Sequence, residues 1–222
     1  ITGSAGKTTT KELTLALLSR VGTVVATHGN LNNRIGLPAM AFALEAAHQF
    51  AVFEAGMSLR GEIEALARIA EPDVAVVTNV GVAHAAGVGG TRADVAREKG
   101  ALVASLGPSG VAVVNADDEA AMGTLSRARG AKVRTFGRSE AAHYRLVDRV
   151  AYGAFGSRLT FERPCEACAS PNAREILETE FPLVSEVAAI DFLAALAAVE
   201  AVHGALDIEV VRAAMATRLS LE

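Results

Sequence analysis

The chain has 222 residues, about half of them apolar, and a formal charge of −4 at pH 7. That length suits one large domain or two small ones with a sizeable core. The charge leaves no basic footprint for nucleic acid or an anionic membrane surface, and no apolar run approaches the ~20 residues that span a bilayer.

Taken in order, residues 1 to about 140 alternate helical and strand patterns, as in α/β proteins with a parallel sheet. Lys11 to Arg20 predicts a helix with Leu13, Leu17 and Leu18 on one face. Thr23 to Ala26 reads as a short strand, and Pro38 to Ala47 as a helix whose proline suits the first turn. Phe50 to Phe53 is a strand, and Gly61 to Ile69 is a helix halted by Pro72. Val74 to Val77 is a continuous buried strand of the parallel type. Ala93 to Leu106 is helical up to Gly107-Pro108. Val111 to Val114 is a strand, Asp117 and Asp118 open a helix, and Lys132 to Phe136 closes the unit.

The pattern then changes. Tyr144 to Glu162 alternates and holds Gly153 and Gly156, which predicts antiparallel strands, and Glu175 to Phe181 predicts another. Val187 to His203 is a long alanine-rich helix, and Ile208 to Ala216 a second. One domain over 1–222 is the simplest account: a phosphate-loop α/β fold, mostly parallel, flanked by helices, with a small antiparallel excursion at about 144–182. Between the strands, Cys165 and Cys168 lie in a polar loop. A CxxC pair can bind zinc or do redox chemistry, but zinc wants four ligands and no second pair stands near. Two free thiols are the plain reading. With only these cysteines and no visible signal peptide, a cytoplasmic setting is expected. The chain opens at Ile1, just before a glycine loop that ordinarily follows a whole strand, and closes after a helical pattern. A piece of a longer polypeptide is the expectation, a naturally eroded protein the alternative.

The strongest local signal is Gly3-Ser4-Ala5-Gly6-Lys7-Thr8-Thr9. A glycine loop leading into a helix presents backbone N–H groups to phosphate oxygens. Lys7 would reach the outer phosphates, and the Thr8 hydroxyl would sit on Mg²⁺. Ile1 stands where the strict form of the motif has glycine. Taken alone, the loop says only that a nucleoside triphosphate binds.

The form Ile1 to Thr9 resembles the loop of the Mur ligases, and further segments fit in order. Gly29 to Pro38, with Asn30, Asn32 and Asn33, resembles the asparagine-rich loop of the branch that adds D-alanyl-D-alanine. Glu54 to Ile63, Thr78 to His84, Val95 to Gly100 and Val114 to Asp118 resemble other family segments. The resemblance implies an ATP-dependent amide ligase of peptidoglycan precursor synthesis. A UDP-MurNAc-peptide carboxylate would be phosphorylated, and the amine of D-Ala-D-Ala would attack the acyl phosphate. It implies Lys7, Glu54, His84 and Lys99 as catalytic, with Mg²⁺ held by Thr8, Glu54, His84 and a carbamylated Lys99. Asn30, Asn32 and Asn33 would face the substrate carboxylate. It also implies a UDP-sugar domain and a C-terminal domain, both outside this sequence, and a monomer that binds neither nucleic acid nor membrane.

The residues keep plainer readings beside these. Glu54 and His84 follow strands, where open parallel sheets bind ligands, yet Glu54 also suits a salt bridge and His84 a cap or a core position. Lys99 suits a solvated helix face, and the asparagines suit turns. Near the end, Ser185, Val187, Ala188 and Asp191 replace a family segment assigned to the nucleotide's base side. A non-catalytic nucleotide-binding module is one alternative function. A Mur-like ligase of the cyanophycin or folylpolyglutamate type is another.

Overall fold

The computed structural model describes residues 1–165, 168, 170 and 173–217. Eight helices and eight strands follow one another in these residues. The helices are α1 (Lys7–Leu18), α2 (Gly36–Phe42), α3 (Glu62–Ala70), α4 (Ala85–Val88), α5 (Arg92–Ala104), α6 (Glu119–Gly123), α7 (Glu186–His203) and α8 (Ile208–Met215). The strands are β1 (Val24–Ala26), β2 (Phe50–Val52), β3 (Val74–Val77), β4 (Val111–Asn115), β5 (Lys132–Gly137), β6 (Tyr144–Ala151), β7 (Ser157–Pro164) and β8 (Arg174–Phe181).

The sheet comes in two parts. β1 and β2 pair in parallel, and β3 to β8 form a six-stranded sheet in sequence order. Pairing is parallel from β3 through β6 and antiparallel from β6 to β8. The antiparallel part begins at β6, within the alternating stretch from Tyr144, and β6 also keeps a parallel neighbour in β5. Ile1 and Thr2 join the two parts. The Ile1 amine donates to Phe53 O at 2.8 Å and Ala55 N–H to Ile1 O at 2.8 Å. On the other side, Thr2 N–H donates to Val76 O at 2.8 Å and Thr78 N–H to Thr2 O at 3.0 Å.

Strand period two puts alternate side chains on opposite faces, and this feeds two cores. Val76, Val111 and Val113 pack with α1 and α7, while Ala75, Val77, Ala112 and Val114 pack with α3 and α5. α7 lies between α1 and the sheet. From Asp191 to Glu200 every residue of α7 is buried, which suits a central helix.

Several boundaries shift for local reasons. α1 begins at Lys7 rather than Lys11, because Gly6 takes the left-handed conformation at φ 78° and starts the helix at the loop. α2 begins at Gly36, where Asn33 Oδ1 accepts from Ile35 N–H and Gly36 N–H, and it ends at Phe42, well short of Ala47. The short α4 lies where no helix is expected. Cys165 and Cys168 form a disulfide, so the expectation of two free thiols is corrected; part of the loop around them lies outside the described residues.

Candidate functional site

The parallel strands end along one edge, and the glycine loop sits there between the segments after β2 and β3. A loop with few side chains needs an outside brace, and Thr78 and Asn79 supply it. Asn79 Oδ1 accepts from Ser4 N–H at 3.1 Å and Ala5 N–H at 2.9 Å. Asn79 Nδ2 and Thr78 Oγ1 both donate to Ala5 O, at 3.0 and 2.6 Å, and Gly81 N–H donates to Ser4 Oγ at 2.8 Å. Thr78 presses so close that a Cβ on Gly3 would come 1.8 Å from its Oγ1. Gly3 is therefore required for closeness, and Gly6 for its backbone angle.

Gly6 has no side chain to cap α1. The first-turn N–H groups of Lys7, Thr8 and Thr9 consequently face the loop's mouth with the positive end of the helix dipole. Lys7 Nζ curls back to Gly3 O at 3.1 Å. Thr8, on the next step of the helix, donates through Oγ1 to Glu54 Oε2 at 2.9 Å.

Glu54 is buried to 2% exposure just beyond β2. Its other oxygen accepts from Asn32 Nδ2 at 2.8 Å, and its backbone N–H donates to Thr27 Oγ1 at 2.9 Å. Thr27 also accepts Lys11 Nζ on its carbonyl at 2.8 Å. Two segments distant in sequence, α1 and the stretch after β1, thus converge on one carboxylate. Thr8 Oγ1 and Glu54 Oε2 are hard oxygens side by side, the donor type Mg²⁺ prefers.

The remaining predicted residues are placed less directly. His84 is exposed at a left-handed φ of 61°, at the start of α4, and caps it with no side-chain hydrogen bond. The loop that carries it is held by Asp118 and Arg92, which grip both polar groups of the Val80 peptide: Val80 N–H donates to Asp118 Oδ2, and Arg92 Nε donates to Val80 O, each at 2.7 Å. Lys99 is buried to 3% exposure on α5. Burial, with the positive charge of Lys7 nearby and Glu98 partly opposing, lowers its amine to about 8. Asn33 spends its side-chain oxygen on the start of α2, and Asn30 is exposed. Among the described residues no group of three or more His, Cys, Asp or Glu is close enough to hold a metal alone.

The sequence reading did not pick out Asn79, Thr27 or Asp191 as site residues. Asn79 directly follows a strand, as Glu54 does, so its position carried a signal. Asp191 belongs to the segment assigned to the base side, but the structure sets it against Gly6 of the phosphate loop.

A family model described as Mur ligase middle domain matches residues 1–199. The UDP-N-acetylmuramoyl-tripeptide--D-alanyl-D-alanine ligase of Synechocystis sp. is 43% identical over 137 residues, 62% of this chain and 30% of the relative. A crystal structure of MurF from Acinetobacter baumannii superposes with a TM-score of 0.87 at 28% identity, covering 99% of this chain and 45% of that one. MurF ligase from Thermotoga maritima in complex with ADP gives 0.79 at 27%, covering 99% and 48%. In each comparison the match takes in less than half of the relative's length.

Proposed function

The chain belongs to the Mur ligase family as a middle domain, and from that premise we propose that it is the nucleotide-binding part of a ligase adding D-alanyl-D-alanine to a UDP-MurNAc-tripeptide. The observation that carries this is the Thr8–Glu54–Asn32 chain of hydrogen bonds at the open start of α1. The likeness to a ligase complexed with ADP supports the nucleotide.

In this reading the phosphates of ATP would rest on the N–H groups of α1 and on Lys7. The Thr8 hydroxyl, the Glu54 carboxylate and His84 would hold Mg²⁺, and a carbamylated Lys99 would add an anionic oxygen ligand. The metal would supply charge neutralisation on the transferring phosphoryl group. A substrate carboxylate oxygen attacks the γ-phosphorus as the bond to ADP breaks. The D-Ala-D-Ala amine then bonds to the acyl carbon, phosphate leaves with the former carboxylate oxygen, and the amine proton goes to solvent. Asn30 and Asn32 would meet the substrate carboxylate, a role supported for Asn32 by its hydrogen bond to Glu54. The lowered Lys99 amine suits carbamylation, since only a neutral amine attacks CO₂.

We further propose that residues 1–222 act as one domain of a monomeric cytoplasmic enzyme, with the UDP-sugar and the amine held by further domains. No described helix is long and apolar enough to cross a membrane. Positioning two substrates contributes ~7–11 kcal/mol to such reactions, so this chain alone is expected to bind nucleotide without ligating. Calorimetry of ATP–Mg²⁺ binding tests the reading. Lys7→Ala should weaken it by roughly 1.5–3 kcal/mol, the worth of a charge-assisted contact; equal affinity in both proteins sinks it.

A further inference from the structure

The Asp191 carboxyl of α7 lies directly against the phosphate loop. A Cβ on Gly6 would come 2.4 Å from its Oδ1 and 2.8 Å from its Oδ2. Asp191 is 4% exposed and no salt bridge reaches it among the described residues. Thr10, fully buried on α1, faces it with a hydroxyl that makes no hydrogen bond of ordinary geometry.

The charged groups on the elements packed around α7 are engaged elsewhere. On α1, Lys7 turns to Gly3 O, and Lys11 to Thr27 O and Glu12. On β5, Lys132 is exposed at the strand's start, and Arg134 goes to Tyr144 and Ala197. Arg145 of β6 pairs with Glu162, Arg149 goes to Val184 O, and Asp148 lies among the charges near Arg138. β3 and β4 carry no charged residue. On α7 itself Glu186 pairs with Arg138 and Glu200 with Arg163, and His203 ends the helix. Among the described residues no charged group pairs with Asp191, and burial pushes its carboxyl up to about 7 against the Thr10 hydroxyl's opposing pull.

We propose that Asp191 makes nucleotide binding proton-coupled: the protonated carboxyl leaves the loop free for polyphosphate, and the ionised one repels it. The ionised form would set a fixed negative charge behind the N–H groups that receive the phosphates. A bound polyphosphate would in turn hold the proton on Asp191, so binding takes up a proton from solvent. The inference rests on the nucleotide-binding reading above.

The test is calorimetry of ADP and ATP–Mg²⁺ binding to the wild type and Asp191→Asn, from about pH 6 to about pH 8, in buffers of differing ionisation enthalpy. Protons from the nucleotide's own phosphates are common to both proteins and cancel in the difference. The wild type should take up about half a proton more than the variant near pH 7, rising toward one at the alkaline end, where free Asp191 is ionised. Its affinity should fall by up to about tenfold per pH unit above that, the limit for one linked proton, while the variant stays flatter and binds tighter at the alkaline end. Equal proton counts and parallel pH profiles overturn the proposal while leaving nucleotide binding intact. No binding by either protein overturns the nucleotide reading itself. Should Asp191→Asn not fold, Asp191→Ser takes its place; should neither fold, a wild type whose affinity is flat over the same range overturns the proposal.

Discussion

The network around Glu200 carries a prediction whose size follows from its geometry. Glu200 on α7 and Arg163 on β7 form a buried ion pair, with side chains 3% and 6% exposed. Glu200 also accepts from Tyr144 Oη at 2.8 Å and Leu206 N–H at 3.1 Å, while Arg163 donates to Leu206 O at 2.7 Å and to Glu175 at 2.7 Å. The pair therefore ties the central helix both to the antiparallel strands and to the turn before α8. Glu200→Ala leaves a guanidinium that cannot deprotonate, with one half-buried carboxylate for company. Breaking a buried pair in this way costs roughly 3–5 kcal/mol, a large part of the 5–15 typical of a whole domain. Arg163→Met should cost less. Burial already pushes the Glu200 carboxyl up, so it can escape by taking a proton, an exit closed to Arg163. The double variant Glu200→Leu with Arg163→Met should recover most of the loss, since apolar replacements of similar volume remove the desolvation penalty. Urea unfolding reads all three as shifts in midpoint at constant slope. A Glu200→Ala cost under about 1 kcal/mol, or a double variant no more stable than Glu200→Ala, refutes the reasoning.

Three further outcomes are expected. Gly3→Ala should destabilise by ~1–3 kcal/mol through overpacking against Thr78, and Gly3→Ala with Thr78→Ala should restore part of it in the same urea assay. Asp191 is held about neutral when folded and ionises near 3.8 when unfolded. The unfolded chain thus binds fewer protons between those values, and stability falls as pH climbs from about 4 through about 7, by at most ~4 kcal/mol. Asp191→Asn should flatten that fall, and a wild-type curve with no such slope contradicts it. In bicarbonate labelled with carbon-13, the Lys99 amine should give a carbamate resonance that grows as pH rises past about 8, where the amine is neutral. Lys99→Arg should abolish it, and an unchanged spectrum in the variant assigns the signal elsewhere.

What could be read in the chain was what lies close together along it. The loop Gly3 to Thr9 and the strand-end position of Glu54 are local patterns, and so are the caps at Asp118 and the period of α3. The brace by Asn79 spans 74 and 75 residues, and the meeting of Asp191 with Gly6 depends on how α7 packs under α1. No local pattern encodes such distances. The asparagines illustrate a different limit. Asn32 and Asn33 are neighbours of one residue type, yet one bonds the candidate metal carboxylate and the other starts a helix. Their composition is equally suited to both tasks, and only the direction each side chain takes divides them.

The hydrogen-bond chain from Thr8 through Glu54 to Asn32 bears on how the loop edge opens. Thr8 belongs to α1, while Glu54 and Asn32 lie in the segments after β2 and β1. A ligand held by both sides stabilises only those states in which the two stay together. Occupancy at a hundredfold excess over the dissociation constant adds ~2.7 kcal/mol against local opening, so binding and the breathing of this edge become one equilibrium.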